Sequence, residues 1–296
     1  MTATTPVTFT GVARHAHTIA LQWRLLLLWT LITLIPTGLM VWPFWSTLSA
    51  QLDHALYAPQ WAKQLDGTVL ADLIWKLMEN PSTMAHAGLS ALVVTVLLSP
   101  LMNGAFVAAA RAKEPLQWVP LLQKGLKDYG RMLRMWIWGM VLLMVMGGIA
   151  SGAMHGVGKY AEKAILESNV TLLGRVVLLV VAVLMLLVHL SIDTGRAQLA
   201  VYPGRSSAVK AWWRACKQIK ARFWMHVGIY VAFTAAGLLL VAAITALRIA
   251  VPQLGALWFT LGLVLMQSAI VVMGWMRIAR LVALVDLAQA RRDAGL

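Results

Sequence analysis

VVLLVVAVLMLLVHLSIDTGR, residues 176–196, is about seventeen mostly apolar residues (Val176–Ile192) running into Asp193, with Arg196 one helical turn later. Carried back to residue 171, the stretch is long enough to cross a bilayer core, which takes about twenty apolar residues as a helix. A carboxylate at its end is costly, because charges near hydrocarbon persist only where they are paired or reach water. A helix C-terminus adds nothing in its favour, since the dipole there prefers cations. The stretch therefore predicts a membrane span and a cationic partner for Asp193. Arg196 is the nearest candidate, and Arg111, Arg277 and Arg280, which close other apolar stretches, are the alternatives.

The rest of the chain agrees with a membrane setting. Hydrophobic residues make up 60% and charged residues 12% of the 296 positions, against roughly 45–50% and 25% in soluble domains. Six stretches qualify as spans: roughly 25–45, 84–110, 134–155, 171–195, 224–247 and 255–276. The fifth and sixth are joined by the short segment from Arg248 to Leu254, a tight hairpin around Pro252. The expected fold is an all-α polytopic bundle of six transmembrane helices in three hairpins, one integral domain over residues 1–296. The N-terminal segment lacks the features of a cleavable signal peptide, so the first apolar stretch is expected to stay as an anchor. The single cysteine, Cys216, excludes a disulfide within the chain and any multi-cysteine metal cluster.

Basic residues are distributed unevenly over the loops. Nineteen of the 25 Lys and Arg fall on the side that holds both termini, and that side carries all of the net +14. The other side is neutral, its Lys63, Lys76, Lys159, Lys163, Arg175 and Arg248 matched by six acids. By the positive-inside rule the basic side is cytoplasmic, so both termini are expected inside. The charge then reads as topology and contact with anionic lipid headgroups, not as nucleic-acid binding.

Two of the basic loops carry helical periodicity. In PLQWVPLLQKGLKDYGRMLR, Leu122, Leu126, Tyr129 and Leu133 form an apolar stripe, with Lys124, Lys127, Asp128, Arg131 and Arg134 opposite. In SSAVKAWWRACKQIKARFW the stripe is Val209, Trp212, Cys216, Ile219 and Phe223, with Lys210, Arg214, Lys217 and Gln218 opposite and Ser206 or Ser207 as N-cap. Both are expected to lie in the headgroup layer with these lysines and arginines facing lipid. HTIALQWR near the N-terminus looks like a shorter example, so the chain reads as three units of interfacial helix plus transmembrane hairpin. On the opposite side, TVLADLIWKLMEN is expected to be a surface helix, with a lid as the sharper alternative.

Candidates for chemistry are few. The seven histidines make no metal-binding motif, and no phosphate loop, serine elbow or paired-carboxylate arrangement is present. No cofactor or metal is expected. His189 and Asp193 stand four apart on one helix face and suit either a structural hydrogen bond or a proton relay. Pro100 and Asn103 are expected to interrupt the second span, with the asparagine amide meeting a freed carbonyl. Gln267 and Ser268 add polar atoms to the sixth span, so Asn103, His189, Asp193 and Gln267 are expected to form a polar cluster. Gly148, Gly152 and Gly156 form a GxxxGxxxG string, expected to pack within the bundle, with a dimer interface as the alternative.

An Asp-x-x-Arg at the inner end of a span, a basic amphipathic helix and then another span, as in DTGRAQLAVYPGRSSAVKAWWRACKQIKARF and, more loosely, PLMNGAFVAAARAKEP, resembles a broad group of uncharacterised bacterial six-span proteins. It is also similar to the membrane domain attached to some glycerophosphodiester phosphodiesterases. The resemblance implies a fold and inner-membrane residence. The soluble catalytic domain of those enzymes has no counterpart here, so it transfers no catalytic residue. The expected function is a non-enzymatic subunit or scaffold of a membrane assembly, contacting other membrane proteins. The alternative is a small transporter or lipid-handling protein using the polar cluster on spans two, four and six.

Overall fold

The computed structural model describes residues 8–53, 55–57, 67–79, 81–164, 166–202, 204, 206–252 and 255–295. Lys63, Asp66 and Arg205 of the charge distribution lie outside these residues. Among the described residues there are helices and no strands: α1 (Phe9–Ala20), α2 (Trp23–Leu52), α3 (Gly67–Glu79), α4 (Pro81–Ala110), α5 (Trp118–Ala161), α6 (Glu167–Val201), α7 (Ala208–Ala221), α8 (Phe223–Ala250) and α9 (Ala256–Asp293). Six of them, α2, α4, α5, α6, α8 and α9, are long and apolar enough to cross a membrane, with mean hydropathy from 1.8 to 2.8 over their best windows. The protein is an all-α, multi-pass helical membrane protein.

Two of the three amphipathic elements are separate helices. α1 begins well before the expected HTIALQWR segment and ends at Ala20, and α2 starts at Trp23. α7 begins at Ser207, whose side chain accepts a hydrogen bond from the Lys210 N–H at 3.4 Å, and ends at Arg222, where the backbone leaves the helical region. The middle element differs. Its basic stretch and the span after it form one helix, α5, of 44 residues. At 1.5 Å per residue this is about 66 Å long, roughly twice the hydrocarbon thickness. Nothing between Trp118 and Arg134 stops a helix, whereas α1 and α7 are each followed by a residue in a non-helical conformation. Pro100 likewise does not interrupt its span, since α4 runs unbroken through it. A proline inside a span is tolerated where neighbouring groups satisfy the freed backbone.

The one domain expected over 1–296 is divided into two compact units. The first comprises Met1–Ala16, Asn103–Ala232 and Arg280–Leu296; the second comprises His17–Met102 and Phe233–Ala279. In the second unit, Trp29 of α2 donates its indole N–H to the Ile270 carbonyl of α9 at 2.9 Å. Its ring also carries the Arg277 guanidinium 5.4 Å from the centroid. Trp275 stands edge-on to His17 and Phe233 at 5.6 and 5.9 Å. Gly274 leaves the room Trp29 needs, since a Cβ there would overlap the indole.

The first unit answers the question posed by residues 176–196. None of the apolar window of α6 is buried within the chain. From Leu190 onward the same helix enters a core: Leu190, Ser191, Ile192, Thr194, Gly195 and Ala197–Val201 are all buried. α5 and α7 pack against this end of α6. The α6–α7 approach is close enough that a Cβ on Gly195 would meet the Trp212 backbone at 3.5 Å. α4 crosses α5 at a pair of glycines, with the Gly104 Cβ position only 2.5 Å from the Gly125 carbonyl oxygen.

Candidate functional site

The C-terminus of α6 is where the first unit concentrates its charge. A helix leaves its last four carbonyls without partners of its own, and here three are met by arginines brought from elsewhere. Arg131 Nη1 donates to the Leu199 carbonyl at 3.1 Å, Arg111 Nη1 to Ala200 at 3.1 Å, and Arg292 Nη1 to Val201 at 3.2 Å. The fourth, Gln198, accepts from the Tyr202 N–H. Arg134 extends the set by donating to the Ser206 carbonyl at 3.2 Å in the segment that leaves the helix. Guanidinium groups at this end also complement the negative pole of the helix dipole.

Asp128 of α5 organises two of these arginines. It is 3% exposed, and each carboxylate oxygen accepts from one guanidinium, Oδ2 from Arg111 and Oδ1 from Arg131. Each arginine thus bridges a carboxylate and a helix-terminal carbonyl, using the planar fork that lysine lacks. This divides the expected polar face of α5, with Asp128 turned inward away from the lysines. The inward face is Leu121, Gly125, Asp128, Met132 and Met135, while Leu122 and Leu126 are exposed. Arg131, expected to face lipid headgroups, turns inward with its side chain 15% exposed. Lys124, Lys127, Lys210 and Lys217 are exposed, and Arg214 is half-buried.

Asp193 forms its ion pair with Arg196 on the next turn, and Tyr230 Oη of α8 lies 3.5 Å from its other oxygen. Arg280 of α9 stacks on that tyrosine with its guanidinium carbon 4.6 Å from the ring centroid. Arg111, proposed as an alternative partner for Asp193, is committed to Asp128 instead. Arg111 and Arg131, with Arg292, join helix ends through the α6 carbonyls, two of them also through Asp128. No local spacing points to this junction, because Arg111 and Arg292 stand 89 and 91 residues from the carbonyls they meet.

The expected polar cluster does not assemble as drawn. His189 is exposed, and its Nδ1 bonds the Met185 carbonyl one turn back at 2.9 Å, not Asp193. Asn103 is 1% exposed within the α4 end. Gln267, in the second unit, borders a groove of about 400 Å³ with Leu263, Val264, Ser268, Val271 and Val272, and its buried Oε1 accepts no hydrogen bond. A different polar chain is present that spacing alone does not reveal. Gln198 donates to Gln218, the Gln218 amide contacts His226 Nε2 at 3.1 Å, and His226 Nδ1 meets the Arg222 carbonyl at 2.9 Å. It ties α6, α7 and α8 together, and Trp212 adds an indole hydrogen bond to Ser191 at 2.9 Å.

The glycine string also differs from expectation. Gly148, Gly152 and Gly156 are exposed, and a Cβ on any of them would meet nothing within 4 Å. The face they form is not packed within the chain. Among the described residues no group of three or more His, Cys, Asp or Glu is placed to hold a metal ion. No protein-family model, curated protein or solved structure matches the chain.

Proposed function

We propose that this chain is a non-enzymatic subunit or scaffold of a membrane assembly, resident in a bacterial inner membrane with its basic face and both termini cytoplasmic. The observation that carries the reading is the uncovered surface of α5 and α6. Only 11% of the apolar window of α5 and none of that of α6 is buried within the chain. Helices in a self-sufficient bundle cover one another, and small residues mark where backbones approach. Here the GxxxGxxxG face of α5 stands open while the basic ends of the same helices are fixed by arginine contacts. A rigid end carrying two lipid-facing helices with a glycine groove suits a chain that receives another transmembrane helix. The basic excess on the side that holds both termini and the likeness of the Asp193–Phe223 segment to bacterial six-span proteins support the placement in the membrane.

The test is site-specific photocrosslinking in native membranes. A benzophenone amino acid at position 152, and separately at Leu178, which is 63% exposed, should each capture a discrete second membrane polypeptide. Adducts with lipid alone at both positions would overturn the assembly reading.

A further inference from the structure

Lys124, Lys127, Asp128 and Arg131 follow one another at helical spacing on one face of α5, and Arg111 at the end of α4 meets them. With Ala108 and Ala112 they line an open cleft of about 370 Å³. Four cations surround one carboxylate, and that carboxylate is already shared between Arg111 and Arg131. The cleft therefore keeps an excess of three positive charges. Its two arginines are held in place by Asp128 and by the Ala200 and Leu199 carbonyls, so their orientation is fixed before any ligand arrives. Its two lysines are exposed at the rim.

A rigid guanidinium with mobile ammonium groups beside it is a composition suited to phosphate: arginine supplies a planar fork and lysine a point charge. We propose that this cleft binds a phosphate oxyanion, and that the phosphate is the headgroup of an anionic lipid, a phosphomonoester being the best match to the charge excess. The flanking surface argues for a lipid source. Val119, Leu122 and Leu126, on the adjoining face of α5, are 64%, 39% and 66% exposed. Apolar side chains standing out beside a basic cleft, at the end of a span, place that cleft at headgroup depth. A soluble phosphate ligand would not need the apolar flank.

The test uses the full-length protein, delipidated in detergent and reconstituted into phosphatidylcholine nanodiscs doped with either phosphatidic acid or phosphatidylglycerol. Lipid retained on re-extraction is counted by native mass spectrometry. The wild type should retain phosphatidic acid in preference to phosphatidylglycerol. The double variant Lys124→Gln/Lys127→Gln, which leaves the arginine contacts intact, should lose retention by roughly tenfold or more. The control Lys210→Gln/Lys217→Gln, on a different helix, should weaken retention of both lipids alike and leave the preference for phosphatidic acid within about a factor of two. Equal loss in both double variants would reduce the effect to general surface charge and overturn the site. Unchanged retention in the Lys124/Lys127 variant would overturn it as well. Inorganic phosphate titrated into lipid-free protein decides the source: thermal stabilisation at low millimolar phosphate, with no preference among the doped lipids, would overturn the lipid assignment.

Discussion

Asp128 and Asp193 are both acidic residues at the basic ends of helices, and the structure gives them unequal work. Asp128 neutralises two arginines from different helices and is almost wholly buried. Asp193 pairs with Arg196 of its own helix and takes a contact from Tyr230, with the Arg196 and Asp193 side chains 12% and 13% exposed. Removing one member of a buried ion pair leaves its partner uncompensated, at a cost of about 3–5 kcal/mol. For Asp128→Asn two guanidinium groups would be left facing each other, so the loss should lie at the upper end of that range. Asp193→Asn should cost less, since its side chain is less deeply buried, 13% exposed against 5% for Asp128. Thermal unfolding of the two variants in detergent should rank them in that order. A larger loss for Asp193→Asn would mean that Asp193, not Asp128, is the keystone of the helix ends. Sequence inspection favours Asp193, because it interrupts a long apolar run, and hides Asp128 among lysines that look solvated.

At the scale of the helix, hydropathy finds the six spans, since length and apolarity are what lipid demands, but not the helix ends: α5 already starts at Trp118 and α9 runs on to Asp293. It does not find their facing. The stripe Leu122, Leu126, Tyr129 and Leu133 would be the buried face in water, but in lipid an apolar side chain gains little by turning inward. Helix contacts are set by small residues and by polar groups that need partners, which is why Gly125 and Asp128 face inward and Leu126 faces out. The same logic separates two kinds of glycine. Gly104 sits where a methyl group would be 2.5 Å from the Gly125 carbonyl oxygen. Gly104→Ala should therefore cost about 1–3 kcal/mol by forcing α4 away from α5. Gly152→Ala, with open space around it, should leave the isolated chain within about 0.5 kcal/mol of the wild type. Differential scanning fluorimetry on both variants in detergent measures this contrast, and equal destabilisation would mean that the Gly152 face is covered within the chain. If the assembly reading holds, Gly152→Ala should instead weaken crosslinking to the partner in membranes.

Orientation belongs to the whole molecule, because it rests on the sum of charges and on no single contact. Cys216 tests it without an introduced probe. It lies in α7, between two spans, on the side with the basic excess, and is half-buried. A membrane-impermeant maleimide should leave it unlabelled in intact cells and label it once the membrane is opened. Burial must be separated from sidedness, and the chemistry of the thiol allows that. Desolvation raises the Cys216 pKa above that of an ordinary thiol, with a backbone hydrogen bond opposing it. Only the thiolate reacts, so at neutral pH the folded protein should label more slowly than the denatured chain. As pH rises through the raised pKa the folded rate should climb toward the denatured one. Absence of labelling in intact cells that persists at alkaline pH, where opened membranes label readily, would establish the cytoplasmic location. Labelling of intact, sealed cells would reverse the orientation and turn the nineteen basic residues outward, against the positive-inside rule.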